Sequence, residues 1–130
     1  MPKFNKSSIQ SLKEFLYYST IHDARIESIE FGHGKDAIYI KLRNPIFNVN
    51  YCFTFEEIEL VLATKGNAYE SAETIVSLTV EEDFSCLQPY LPKRGVSTEA
   101  MLYLLFQTFS GSEVHIVSKW VNIESLSTRE

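Results

Sequence analysis

Residues 46–55 read IFNVNYCFTF, and this stretch decides the fold of the chain. Every second position holds a large apolar side chain: Phe47, Val49, Tyr51, Phe53 and Phe55. A period of two places successive side chains on opposite faces of a β-strand. The stretch therefore predicts a strand with one apolar and one polar face, which is typical of an antiparallel sheet covered on one side.

A β-hairpin is predicted immediately before this strand. Residues 21–31 have strand character, and a change of phase within them predicts a β-bulge near residues 27–28. A glycine-containing turn at 32–36 leads into residues 37–43, where apolar and polar side chains alternate cleanly. Asn44-Pro45 ends that second strand.

The two ends of the chain supply a helix and a second hairpin. Four large apolar residues recur at helical spacing within residues 8–18, which predicts an amphipathic helix with Ser7 as its N-cap. Residues 74–81 predict a strand. Residues 101–109 and 113–123 predict two strands joined by a turn, although a helix over 98–109 is the alternative.

These elements predict a single domain over residues 1–130 of the α+β class, with one N-terminal helix packed on a mostly antiparallel sheet of about six strands. Apolar residues make up 45% of the chain, which is ample for one core. The longest apolar run is too short to span a bilayer, and the first residues do not resemble a signal peptide. We therefore expect a cytoplasmic protein without membrane contact, in which Cys52 and Cys86 are free thiols.

Charge is concentrated in the middle of the sequence. From Glu56 to Asp83 there are eight carboxylates against one base, a net charge of −7, while the rest has nine acids and eleven bases, a net charge of +2. Such a field attracts a partner of opposite charge. The residues predicted to bind a basic protein partner are Glu56, Glu57, Glu59, Glu81, Glu82 and Asp83. An acidic chain also argues against nucleic acid as a partner.

Short motifs that suggest chemistry are better explained as structure. Gly32-His33-Gly34-Lys35 precedes a strand, whereas a phosphate-binding loop precedes a helix. His22-Asp23 lacks the further ligands that a metal needs, so Asp23 is expected to pair with Arg25. The sequence thus predicts no metal, no cofactor and no catalytic residues.

The layout nevertheless resembles known proteins. A short helix precedes Ile21-His22-Asp23-Ala24-Arg25-Ile26, and one strand ends in Phe53-Thr54-Phe55-Glu56-Glu57-Ile58. This resembles families of small bacterial proteins whose first strand opens with His-Asp, some of them grouped with immunity proteins that neutralise a toxin. The resemblance covers roughly residues 8–60 and, more loosely, 101–123. It implies binding to a toxin and supplies no site residues.

The sequence therefore predicts a non-enzymatic protein-binding domain with an acidic binding surface. The resemblance implies that this domain is an immunity protein that neutralises a basic toxin through that surface. Two alternatives stay open. One is a small-ligand-binding domain that uses the aromatic face as the lining of a cavity. The other is a hydrolase of a type that the motifs do not identify.

Overall fold

The computed structural model describes residues 3–21, 24–32, 36–64, 75–91, 98–108 and 111–127. One α-helix, α1 (Ile9–Tyr17), lies near the N-terminus. Seven strands form one sheet: β1 (Lys3–Phe4), β2 (Arg25–Phe31), β3 (Ala37–Asn44), β4 (Val49–Thr64), β5 (Ile75–Glu81), β6 (Leu102–Thr108) and β7 (Glu113–Ser127).

The strand order is β2-β3-β4-β7-β6-β5, and every pairing is antiparallel. The short strand β1 pairs with β7 next to Val121 and Asn122, beyond the residues that pair with β6. The predicted α+β architecture of one N-terminal helix and an antiparallel sheet is thus confirmed. Within the described residues the sheet has seven strands rather than about six.

Two long strands hold the sheet together. β4 and β7 pair from Val49–Ser127 at one end to Thr64–Glu113 at the other. Their register shifts between Ile58 and Leu60, next to Glu57, whose φ of 54° is left-handed. An extra residue at a bulge changes which face the following side chains occupy. β4 therefore contributes to the cores on both faces of the sheet.

The main core lies on the face that α1 covers. Leu12 of the helix is fully buried against it. Phe53 stacks beside Phe55 at a centroid distance of 6.0 Å, and Phe106 meets Phe53 edge-on at 5.6 Å. These rings therefore fill the centre of the sheet with aromatic carbon.

A second core lies on the opposite face, where side chains of β6 and β7 that point away from α1 are covered by a 3₁₀ helix, Ser85–Tyr90. Its buried members are Phe84, Leu87, Tyr103 and Val117. None of the helices within the described ranges has the length and apolar character needed to cross a bilayer.

Most of the local predictions are confirmed. The register of β2 and β3 shifts between Ile26 and Ser28, where the bulge was expected. Residues 102–108 form a strand, so the alternative of a helix over 98–109 is wrong. The predicted N-cap is also wrong, because the side chain of Asn5 accepts a hydrogen bond from the backbone of Ser7 and caps a 3₁₀ turn ahead of α1. Residues 33–35 and 109–110 of the predicted turns lie outside the described residues.

The apolar face of residues 46–55 is only partly as predicted. Tyr51, Phe53 and Phe55 are buried, but Phe47 is 60% exposed and precedes the strand. The cause is Asn44, whose side-chain oxygen accepts hydrogen bonds from the backbone N–H groups of Ile46 and Phe47 at 2.9 and 3.3 Å. Those two residues therefore form a turn, and the strand begins only at Val49.

Candidate functional site

The six carboxylates predicted to bind a partner fall into two groups. Glu56, Glu57 and Glu59 lie on β4, whereas the other three lie at or just after the end of β5. β7 and β6 separate the two groups. Leu60 of β4 pairs with Val117 of β7, which pairs with Tyr103 of β6, and Tyr103 pairs in turn with Glu81 of β5. Three strand spacings amount to about 14 Å. The structure therefore brings together the members of each group and keeps the two groups apart.

Lysine side chains lie beside three of the six carboxylates. The ammonium of Lys3 is 3.3 Å from Glu56 and also lies 4.8 Å from the ring centroid of Trp120. Lys119 is 4.0 Å from Glu57. Because these amines offset part of the negative charge, the β4 group attracts a basic partner less strongly than its sequence suggests.

The β5 group is held by hydrogen bonds. Lys13 of α1 donates to Glu82 at 2.6 Å, and this hydrogen bond and the lysine charge lower the pKa of Glu82 below its ordinary value. Asp83 accepts from the backbone N–H of Ser85, which lowers the pKa of Asp83 in the same way. Both carboxylates are therefore ionised at neutral pH, and Glu82 connects β5 to the helix.

A polar network centred on a buried tyrosine lies between the two groups, and no motif or spacing in the sequence predicted it. The hydroxyl of Tyr103 is 2.6 Å from Nδ1 of His115, whose Nε2 is 3.1 Å from Glu113. The thiol of Cys86 lies 3.5 Å from the same hydroxyl. Burial, with a smaller contribution from Cys86, raises the pKa of Tyr103 above its ordinary value of 10.0. Tyr103 is only 1% exposed, and its hydrogen bond to His115 joins β6 to β7.

Four large apolar side chains are exposed at one end of the fold, and we call this set the aromatic end. Its members are Tyr17 (81% exposed), Tyr18 (80%), Ile46 (70%) and Phe47 (60%). The rings of the two tyrosines meet edge-to-face at 4.9 Å. Large exposed apolar side chains on neighbouring segments mark an interaction surface more often than scattered single residues do.

Asn44 positions the aromatic end. It is fully buried, and its side-chain amide donates a hydrogen bond of 2.6 Å to the carbonyl of Thr20, just after α1. Its oxygen holds the turn that carries Ile46 and Phe47. Thr20 in turn donates its backbone N–H to the hydroxyl of Tyr51 at 2.9 Å. One buried amide therefore fixes the end of the helix and the turn relative to each other.

A groove of about 520 Å³ opens beside the aromatic end. The helix contributes Glu14, Phe15 and Tyr18 to it, and the strands contribute Phe4 and Tyr51. Its size falls within the range of small-molecule and peptide sites, although it is an open groove rather than an enclosed cavity. The mixture of aromatic rings and one carboxylate can accept an apolar or amphipathic side chain.

The remaining predictions concern metals and thiols. Among the described residues, no group of three or more histidine, cysteine or acidic side chains could hold a metal ion. His22 and Asp23 lie outside the described residues, as does the predicted pairing of Asp23 with Arg25. Cys52 is half-buried on β4 and Cys86 is exposed on the 3₁₀ helix, and both are free thiols.

The sequence of this chain matches no protein-family model, and no curated protein matches it. The functional conclusion therefore depends on the residues and the geometry of the aromatic end, the groove and the two carboxylate groups.

Proposed function

We propose that this protein is a non-enzymatic protein-binding domain, and that it acts as an immunity protein that neutralises a basic bacterial toxin. The aromatic end is the observation that carries the proposal, because tyrosine and other large rings dominate the binding energy of protein interfaces. Each tyrosine supplies a large contact area at a low cost in side-chain entropy. The groove beside Tyr18 gives a partner side chain a place to insert.

The carboxylates contribute in a different way. Glu57 and Glu59 on β4 are exposed, as are Glu82 and Asp83 after β5. Exposed charges of one sign accelerate the encounter with an oppositely charged protein and add little to the final affinity. In this proposal the carboxylates accelerate association with the toxin, and the aromatic end provides most of the binding affinity.

The test is a binding titration against a basic toxin encoded beside the gene for this protein, together with protection of cells that express the toxin. Tyr18→Ala and Phe47→Ala should each weaken binding roughly 30-fold, the effect of removing an interface hot spot. Tyr90→Ala is the matched control, because Tyr90 is 55% exposed but lies on the 3₁₀ helix of the opposite face. Equal losses for all three variants would exclude the aromatic end as the contact surface.

Charge reversal examines the second part of the proposal. Glu57→Lys together with Glu82→Lys should slow association roughly tenfold at low salt and leave dissociation nearly unchanged. The difference from the unaltered protein should shrink as salt rises, because salt screens exposed charges. A rate of association that is unchanged at low salt would remove the carboxylates from the mechanism.

A second candidate function follows from the groove itself. Four aromatic residues line its wall, which suits a small apolar ligand: Phe4, Phe15, Tyr18 and Tyr51. Ligand binding should raise the melting temperature in proportion to the logarithm of ligand concentration. Phe15→Ala, which alters the groove and leaves Phe47 in place, should then abolish this ligand stabilisation.

A further inference from the structure

Two arginines lie directly opposite each other on neighbouring strands. Arg25 of β2 is paired in register with Arg43 of β3. The residues beside them, Ile26 and Leu42, point into the core under α1, so both guanidinium groups lie on the other face of the sheet. Both arginines are exposed, and neither forms an ion pair or hydrogen bond in the ranges that the structure describes.

This arrangement is unfavourable by itself. Opposed side chains on antiparallel strands lie about 5 Å apart at Cβ, and like charges at that distance repel. The repulsion occurs in a chain that is acidic, with a net charge of −5. An anion that accepts hydrogen bonds from both guanidinium groups would turn the repulsion into attraction, because each group presents a planar set of donors that fits a carboxylate.

The pair also lies next to the aromatic end. Arg43 immediately precedes Asn44, whose side chain holds the turn of Ile46 and Phe47. Arginine and tyrosine are the residue types that most often form interface hot spots. The arginine pair is therefore adjacent in the chain to the turn of the aromatic end, and both guanidinium groups lie on the face away from α1.

We propose that Arg25 and Arg43 form an anion site that accepts a carboxylate side chain of the protein partner. The identity of the anion rests on the proposed function, since a protein partner supplies carboxylates. A toxin that is basic overall would be repelled by this pair unless it presents an acidic residue here. The arginine pair thus orients the partner, because only one docking pose places a carboxylate between the two guanidinium groups.

The site is tested without the toxin, so that its failure is separate from failure of the proposed function. The probe is glutarate, which is titrated into the protein while sodium chloride is adjusted to keep the ionic strength constant. The binding signal is the NMR chemical shift of each arginine Nε–Hε group. The chain has four arginines, so Arg94 and Arg129 serve as references in the same spectrum. We expect saturable shifts for Arg25 and Arg43 only. Unsaturable drift of all four resonances in parallel would show ionic screening alone and would overturn the proposal.

Two variants make the test specific. Arg43→Gln should weaken the response of Arg25 to glutarate roughly tenfold, because one of two charged donors is lost. Lys41→Gln is the matched control: Lys41 also faces away from α1, one residue beyond Leu42, and its loss should change the response less than twofold. Equal effects of the two substitutions would overturn the proposal. A saturable response to inorganic phosphate with none to glutarate would also overturn it, in favour of a phosphate ligand.

Discussion

Truncation of Phe53 is the sharpest test of how the central strand is placed. The Phe53 ring is fully buried, and it contacts Phe55 and Phe106 at centroid distances of 6.0 and 5.6 Å. Replacing a buried phenylalanine by alanine costs about 3–5 kcal/mol, and each lost aromatic contact contributes about 0.5–1.5 kcal/mol within that range. Phe53→Ala should therefore lose about 4–5 kcal/mol of unfolding free energy.

The control for this prediction comes from the same stretch of sequence. Phe47 has the same periodicity as Phe53 but is 60% exposed in a turn, so Phe47→Ala should change the unfolding free energy by less than about 0.5 kcal/mol. Both variants are measured by urea unfolding, where a shift in the midpoint at constant slope reports stability.

A milder substitution covers the case in which Phe53→Ala does not fold. Phe53→Leu keeps most of the buried carbon and loses the ring contacts, so it should cost about 1–2 kcal/mol. Similar losses for Phe47→Ala and Phe53→Ala would refute the placement, because they would show that residues 46–48 are already packed in the strand.

Three further predictions follow from the remaining contacts. Alkylation without reductant should label Cys52 and Cys86, and a disulfide-linked peptide in the mass spectrum would contradict this. Tyr103→Phe should cost about 1–3 kcal/mol at pH 7 by leaving the buried His115 without its hydroxyl partner. Because burial raises the pKa of Tyr103, the unaltered protein should also lose stability above about pH 10, and this loss should be smaller in the variant when both are followed by alkaline unfolding curves. Lys13→Ala should lower stability slightly at pH 7, where Glu82 is ionised. Because the pKa of Glu82 is lowered from 4.5 in the folded protein, the stability difference between the variant and the unaltered protein should vanish in an acid titration as pH falls through that lowered pKa. A stability difference that persists fully at acid pH would contradict this role of the Lys13–Glu82 ion pair.

Local alternation predicted the central strands well because their side-chain pattern is set by one apolar face. Tyr51, Phe53 and Phe55 are buried as expected. The same pattern failed at Phe47, since the hydrogen bond that its backbone N–H donates to the side chain of Asn44 decides where the strand begins. The alternation of apolar and polar residues indicates which side chains are buried. It does not indicate where a single polar side chain closes a turn.

The candidate site was harder to predict because it depends on strand order. Glu59 and Glu81 belong to the same acidic segment of the sequence, yet β7 and β6 lie between their strands in the sheet. The aromatic end combines residues from the end of the helix with residues from the turn after β3. These residues are far apart in the sequence, so no local pattern predicts that they lie at the same end of the fold. The pairing of Arg25 with Arg43 likewise requires the register of β2 on β3, which the bulge at residues 26–28 sets.

The position of β7 has a consequence for synthesis of the protein. The strand lies between β4 and β6 and also pairs with β1, so residues 113–127 form one of the two central strands of the sheet. Until the ribosome releases that segment, β2, β3 and β4 can form only a partial meander, and β5 and β6 only a separate pair. At ordinary elongation rates this state lasts on the order of 10 s, with apolar edges open to neighbouring nascent chains. Slow translation or the absence of a chaperone should therefore reduce the yield of this protein far more than it reduces the stability of molecules that have already folded.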